Sequence, residues 1–576
     1  MTTPRRQWKL REQAPAECSG AFAALHPAVA RLLAARGWTA SDPGLAEFLA
    51  PKLSSIRDPL ELGGVEAAVE RIAAALSARE PLAVYGDYDA DGLCATAVMV
   101  RALRYLGAEP HYVVPHRIDD GYGLSARRVR MLAAEGVKLL VTVDTGITAV
   151  EEVELARSLG MDVVVTDHHL AGDSLPQALV VNPNLEGAAY AGGRLCGAGV
   201  AFKVAHALVR RMRPGSAEAR AFTRGLLDFV ALATVADVVP LLEENRVLVR
   251  HGLRELADSA HPGIRALLAV GGQRPDSAGA ISPDAVGFGM APRLNAAGRT
   301  EGDPAAALEL LLTDDPVRAE ALAKRLDEMN KQRRALEAAI LREAIAQLDA
   351  YPGEGPSAFV LAAVGWHLGV VGTVAARVCE RVNRPAVVLA TDGNGMAKGS
   401  ARSIRGYDIH GGLLECAEHL LAFGGHAAAA GLRLHADKLG VFRDALDGHA
   451  RAHLLGAELS PQVDVDTKLE GAEIDWGLHE GVQSLQPFGE GNPAPVFLVE
   501  GVEALPGARV VGTNHLRLRL RAGGREFTAI AFSLAGHHEA WSRPGSRHDI
   551  LCRTQENNFR GARSLELEVL DSRAVC

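Results

Sequence analysis

The fold is most constrained by a rhythm that runs from residue 81 to residue 184. Short apolar runs, "PLAVYG", "HYVVPH", "KLLVTVD", "MDVVVTDHH" and "ALVVNPN", alternate with helix-patterned stretches such as "LCATAVMVRALRYLG" and "TAVEEVELARSLG". Strand, helix, strand in this order predicts a parallel, doubly wound sheet covered by helices on both faces. A chain of 576 residues is too long for one core, and about 150 residues per domain suggests roughly three or four.

The remainder reads as a multidomain α/β protein. Residues 1–55 are rich in Ala and Leu ("AFAALHPAVARLLAARG") and are expected to be helical, and the sheet domain occupies 56–320. Within 316–349, Leu322, Leu326, Met329, Leu336, Ile340 and Leu348 fall close to helical spacing with no Gly or internal Pro. A continuous helix there would span roughly 45 Å. Either it lies on the surface of one domain or it joins two; "YPGEGPS" directly after it has linker composition and favours a connecting helix, taken as 321–352. A second α/β domain, 353–455, opens with "AFVLAAVGWHLGVVG" and "RPAVVLATDG". Residues 460–576 change to short strands with turns at "AGG" and "FRGAR", the composition of a small β-barrel or sandwich.

Composition narrows the classes of function. The formal charge is -9, so no general basic field argues for nucleic acid, and any such partner must be held by local patches. The start, "MTTPRRQWKLREQ", lacks the apolar core of a signal peptide, and no run of about 18 apolar residues suggests a membrane span. Seven cysteines stand singly with no C-x-x-C, which suits a reducing cytoplasm and neither a disulfide framework nor structural zinc.

The chemistry lies where the apolar runs end. "DYDADG" crowds Asp87, Asp89 and Asp91 behind "LAVY", and three unpaired carboxylates repel. A calcium loop of this form needs a glutamate at its twelfth position, which here is Val98, and it would follow a helix rather than a strand. Asp144 ends "LLVTV", Asp167, His168 and His169 end "VVV", and Asp237 sits in the otherwise apolar "ALATVADVVPL". Open α/β sheets place their sites at the carboxyl ends of strands. Taken singly, Asp91 reads as a helix cap, His168 as a partly buried histidine and Asp237 as an arginine's partner. Together, carboxylates with one or two imidazoles suit Mn²⁺ or Mg²⁺ better than zinc. Two such ions sharing an aspartate generate hydroxide and stabilise a transferring phosphoryl group.

The ordered motifs "GDYDADG", "VDTG" and "TDHH" resemble those of the DHH phosphoesterase superfamily. "PHRIDDGYG", "VVNPN", "LCGAGVAFK", "ATVADVVPL", "APRLNAAGR", "WHLGVVGTVAARVCER", "KGSARS", "FGGHAAAAG" and "PFGEGNPAPVF" extend the likeness, in order, to its bacterial single-stranded-DNA exonucleases. Thr145 departs from the pattern, at a position that is not a ligand. The resemblance implies a DHH domain, a linking helix, a DHH-associated domain and an OB-fold. It implies a 5′→3′ exonuclease of repair and recombination that uses two Mn²⁺ or Mg²⁺ ions, with single-strand-binding protein and repair helicases as partners. By motif, Asp89, Asp91, Asp144, His168 and Asp237 are the implied metal ligands, and Asp87 is either a ligand or a group behind them. His169 resembles the catalytic histidine, which either binds a phosphate oxygen or protonates the leaving group. The rival is a DHH-type enzyme on small substrates, against which the long β-rich tail counts.

Arginines beside glycine or small residues can approach a phosphate bidentately. Arg117, Arg293, Arg299 and Arg402, with Ser400, fit that description, and the resemblance implies that Ser400 and Arg402 seat the 5′ end. His426 stands where glycines let backbone close on a strand, or else at a capped helix start. In "HLRLRLRAGG", Leu516, Leu518 and Leu520 alternate with Arg517, Arg519 and Arg521, so one strand has an apolar and a basic face. The basic face either tracks a phosphate backbone or is merely solvated. With aromatic residues at only 5%, electrostatics rather than stacking is expected to hold DNA.

Overall fold

The computed structural model describes residues 6–13, 20–116, 123–185, 190–276, 278–299, 304–353, 355–456, 460–543, 545–559 and 562–575. The first strand, β1 (Gln7–Leu10), finds its partner only in the last third of the chain. The next five, β2 (Leu82–Tyr85), β3 (His111–Val113), β4 (Leu139–Val143), β5 (Asp162–Thr166) and β6 (Leu179–Val181), form a sheet in the order β3-β2-β4-β5-β6. Every pairing in it is parallel. Successive residues serve opposite faces. Val84, Val141 and Val164 pack in one core with helices Ala90–Tyr105, Gly197–Met212 and Leu227–Ala236. Ala83, Leu140 and Val163 pack in another with helices Ala126–Ala134 and Val150–Ser158. Both faces are therefore covered, which is why these strands are apolar throughout. After β2 the chain goes to one side for β3 and to the other for β4. That reversal opens a crevice at the carboxyl ends of β2 and β4.

The helix expected near 316–349 is Pro316–Asp349, started by the Asp315 side chain accepting from Val317 N at 2.9 Å. Its first half gives Ala319, Leu322, Ala323 and Leu326 to the core of the first sheet, and its second half gives Ile340, Ala344 and Leu348 to a different core. It is a spacer shared by two hydrophobic cores. That second core is shared with one face of a sheet made of β7 (Phe359–Val364), β8 (Ala386–Thr391), β9 (Met396–Arg402), β10 (Ala422–His426) and β11 (Ala429–His435), in the order β10-β11-β9-β8-β7, to which β7 and β8 contribute Phe359, Leu361, Ala386 and Val388. Only β7 and β8 are parallel.

β12 (Gln462–Val465) pairs in parallel with β1. The remaining strands are β13 (Thr467–Lys468), β14 (Phe497–Ala504), β15 (Arg509–Val511), β16 (His515–Ala522), β17 (Arg525–Ala531), β18 (Arg547–Phe559) and β19 (Ala562–Ala574). Their pairings run β14-β18-β19-β17-β16 and return to β14 through Glu503↔Arg521 and Ala504↔Leu520. Two corrections to the sequence reading follow. β18 and β19 span 13 residues each and are not short. The opening segment is not simply helical, because Gln7–Leu10 is a strand whose pairing partner is some 450 residues away, beyond the reach of local pattern. Helix Pro27–Ala35 gives its Val29, Leu32 and Leu33 to the core that also holds Phe497, Leu516 and Leu518, so the two ends of the chain share one core.

Candidate metal centre

Beyond β2 the chain turns at once into helix Ala90–Tyr105. Asp89 caps that helix, its Oδ1 accepting from Asp91 N at 3.0 Å and Gly92 N at 3.1 Å. Asn295 Oδ1 accepts from Ala90 N at 2.7 Å. A Cβ on Gly92 would lie 2.6 Å from the Asp87 carbonyl carbon, so the turn closes only with glycine there. The buried Asp91 carboxylate accepts from Gly197 N and Ala198 N, 2.7 Å each, at the start of helix Gly197–Met212. Unsatisfied N–H groups and the helix dipole favour an anion at that end.

Asp144 leaves β4 in the left-handed region at φ +59, and its buried Oδ1 accepts no hydrogen bond. His168, beyond β5, brings Nε2 to 3.1 Å from Asp144 Oδ1, 3.6 Å from Asp91 Oδ2 and 3.8 Å from Asp237 Oδ2. Asp237 stands at the end of helix Leu227–Ala236. Three groups thus gather ligand atoms within 4.8 Å of one another: Asp87, Asp89 and Asp144; Asp91, His168 and Asp237; Asp144, His168 and His169. Asp144 and His168 each belong to two.

The electrostatics match. Burial, and then the neighbouring carboxylates Asp91, Asp89 and Asp87, push Asp144 well above the usual carboxylate range. Burial raises Asp91, despite the lowering influence of His168. Asp237 is pushed to about 8 by burial and by the charges of Asp91 and Asp89. Acids held charged at neutral pH in such a place need a cation. The all-oxygen and imidazole donor set, with a buried carboxylate oxygen left unsatisfied, fits a hard divalent ion.

Asp167, which the strand end "VVVTDHH" also delivers, stands outside the three ligand groups. Its Oδ1 accepts from His168 N at 2.7 Å, His169 N at 3.1 Å and His169 Nδ1 at 2.7 Å, and its Oδ2 from Ile147 N at 2.9 Å. Burial would raise its pKa, but the His169 hydrogen bond and charge outweigh it and hold the carboxyl low. Burial alone would lower His169; the bond and charge of Asp167 raise it to about 9. With Nδ1 fixed, His169 lines a cleft of about 530 Å³ together with Thr145, Gly146, Leu170 and His426. His426 ends β10, so the cleft lies between the two α/β domains. Gly197 and Asn295 were missed as individual residues. A Cβ on Gly197 would press on Asp144 Cγ at 2.5 Å.

The arginines separate into two kinds. Arg402 Nη1 donates to Ser400 Oγ and to the Ala401 carbonyl, both at 2.8 Å, and no acid among the described residues pairs with it. A Cβ on Gly372, near the start of helix Val371–Val382, would stand 3.2 Å from Arg402 Nη2 and 3.4 Å from Ser400 Oγ. A hydroxyl, a guanidinium and a helix N-terminus therefore converge, as an anion requires. Arg293 is instead committed to Asp327 of the long helix at 2.7 Å and to the Gly289 carbonyl. Arg299 ends helix Ala291–Arg299, its carbonyl against Gly369 of the second domain. Arg117 lies outside the described residues.

The basic face of β16 meets carboxylates of neighbouring strands. Arg517 pairs with the buried Glu566 through Nη1 at 2.9 Å and through Nη2. Arg519 pairs with Glu526 at 3.0 Å, and Arg521 with Glu526 at 3.0 Å and Glu503 at 3.3 Å. Glutamates from β14, β17 and β19 neutralise this face, and alternation within one strand could not reveal them.

Three family models match the chain: the DHH family, N-terminal domain, over residues 81–234; the DHHA1 domain over 355–452; and the RecJ OB domain over 465–571. The single-stranded-DNA-specific exonuclease RecJ of Dickeya dadantii is 40% identical over 535 residues, which is 89% of this chain and 91% of that protein. The crystal structure of RecJ from Thermus thermophilus in complex with Mn²⁺ superposes with a TM-score of 0.83 at 32% identity, covering 99% of this chain and 80% of that one. Its complex with Mg²⁺ gives 0.76 at 30% identity, with 99% and 78% covered.

Proposed function

This chain belongs to the RecJ family of single-stranded-DNA-specific exonucleases, and from that premise we propose which of its residues do the work. It is a metal-dependent exonuclease that hydrolyses phosphodiester bonds of single-stranded DNA, with Mn²⁺ or Mg²⁺ as cofactor. The observation that carries the assignment of roles is the overlap of the ligand groups at Asp144 and His168. Asp87, Asp89 and Asp144 would hold one ion and Asp91, His168 and Asp237 the other, with Asp144 also within reach of His168. Bound there, the ions supply Lewis acidity and a water of lowered pKa.

The chain's own residues do the rest. Asp167 fixes the ring of His169 through Nδ1, so that Nε2 donates to a phosphate oxygen or to the departing oxygen in the cleft. Ser400, Arg402 and the start of helix Val371–Val382 hold a terminal phosphate, which fixes the 5′→3′ direction. His426 closes on the strand from the second domain. Single-strand-binding protein and repair helicases are the proposed partners, in DNA repair and recombination. Among the described residues no helix is long and apolar enough to cross a membrane, and five buried free cysteines support a reducing cytoplasm as the setting.

A substrate panel tests the function. With Mn²⁺, 5′-labelled single-stranded DNA should be degraded, while duplex DNA, dinucleotides and pyrophosphate survive. Equal turnover of dinucleotides or pyrophosphate would contradict the reading.

A further inference from the structure

The stretch that carries Asp237, "ATVADVVPL", meets "PFGEGNPAPVF", which has no part in the chemistry so far. Helix Leu227–Ala236 closes just past Asp237: Val238 N donates to the Val235 carbonyl at 3.3 Å and Val239 N to the Thr234 carbonyl at 3.2 Å. This pair of bonds is the Schellman turn, which puts the residue after the cap in the left-handed region and usually places glycine there. Here the residue is Val238, at φ +56 and 64% exposed. A β-branched residue in that region is an outlier, and such strain persists only where the surroundings over-determine it.

The C-terminal domain meets the chain just beyond that turn, at Pro240–Leu242. Leu241 N donates to the Glu490 carbonyl at 2.8 Å. A Cβ on Gly489 would stand 2.7 Å from Leu241 Cδ1, and one on Gly491 would stand 3.1 Å from Leu242 Cδ1. The loop 489–492 is itself stiff. Gly489 and Asn492 exchange backbone hydrogen bonds at 3.0 and 3.2 Å, and the buried Asn492 amide donates to the Leu485 and Pro487 carbonyls at 2.8 Å. Beneath it, Arg246 of helix Glu243–Ala257 is buried and donates to the carbonyls of Phe48, Leu485 and Gln486. Arg250 donates to those of Leu49, Ser484 and Gln486. These carbonyls lie at the ends of helices Leu45–Leu49 and Trp476–Ser484, where a cation is favoured. Two arginines thus fasten the C-terminal domain to the helix that follows the Asp237 turn.

We propose that loop 489–492 positions Asp237, by holding the strained Val238 turn in the shape that brings this carboxylate to His168. Docking of the C-terminal domain then sets how tightly the ion between Asp91, His168 and Asp237 is held. The proposal rests on the reading of Asp237 as a ligand.

Calorimetric titration of the metal-free full chain with Mn²⁺ tests it without recourse to activity. Gly489→Leu, which wedges the loop off Leu241, should weaken one of two ions by about tenfold, as loss of outer support at metal sites does, and leave the other unchanged. Val238→Gly in the same background should restore the lost affinity, because glycine adopts the turn unaided. Asp237→Asn should weaken the same ion. Wild-type affinity in Gly489→Leu, or no rescue by Val238→Gly, overturns the proposal. Wild-type affinity for both ions in Asp237→Asn removes Asp237 as a ligand and the proposal with it. If circular dichroism shows Gly489→Leu unfolded, Gly489→Ala, whose methyl meets only the movable end of Leu241, carries the test with the same sign.

Discussion

At the carboxyl ends of β2 and β4, aspartates converge with histidines for company; along β16, three arginines stand in a row and each has a carboxylate. Asp91, Asp144 and Asp237 are approached within 4 Å by the ring of His168, and burial with mutual repulsion raises all three pKa values. Arg517, Arg519 and Arg521 are answered by Glu566, Glu526 and Glu503. Like charge that the fold leaves unbalanced points to a ligand of opposite sign. Like charge that neighbouring strands have balanced is a structural element, whatever its pattern in the sequence.

The largest effect should come from the unbalanced cluster. Asp144→Ala removes the carboxylate common to two ligand groups, so cleavage should fall below a few per cent of wild type in Mn²⁺ while single-strand binding persists in a filter or anisotropy assay. Substantial residual cleavage would mean that Asp144 is not shared. Next is Asp167→Ala, which frees the His169 ring. Losing such outer support costs about 10–100-fold in activity, read as kcat on a saturating oligonucleotide; an unchanged kcat would show that the ring needs no such hold.

Arg402→Ala should erase the preference for a 5′-phosphate over a 5′-hydroxyl. A hydrogen bond to a charged group is worth about 1.5–3 kcal/mol, roughly ten- to a hundredfold. Discrimination that survives the substitution would put the terminal phosphate elsewhere.

The balanced strand should respond in stability and hardly in binding. Arg517→Ala strips a buried glutamate of its guanidinium, although Asn557 Nδ2 still donates to Glu566 at 2.8 Å. A loss of about 1–3 kcal/mol in denaturant unfolding is expected. Arg519→Ala with Arg521→Ala breaks exposed, solvent-screened pairs and should leave the salt dependence of DNA binding nearly unchanged. A fall in the slope of log affinity against log salt of about 1.4, at roughly 0.7 per phosphate contact, would show that both arginines reach DNA.

How much of this was legible in the sequence depended on whether a residue's role is local. Asp87, Asp89, Asp91, Asp144 and His168 end apolar runs, and a strand's end is visible in one dimension; the parallel sheet was readable for the same reason. The role of Asp167 was not, because it works through hydrogen bonds to Ile147 N and His169, and a carboxylate beside a histidine looks the same in either role. Gly197 was not, because its importance is room for Asp144 across the crevice. Strand β1 and the glutamates of the β16 face belong to pairings that only the folded chain assembles.

Thermal unfolding with and without Mn²⁺ tests whether divalent cations hold these acids together. At a Mn²⁺ concentration 100-fold above the dissociation constant, each site adds about 2.7 kcal/mol, and the wild-type Tm should rise by several degrees. In Asp144→Asn, which keeps the shape and removes the charge, the metal-free Tm should be at or above that of wild type, and the rise on adding Mn²⁺ should be mostly lost. A wild-type Tm indifferent to Mn²⁺, or an Asp144→Asn protein stabilised as fully as wild type, would show that the acids are held otherwise.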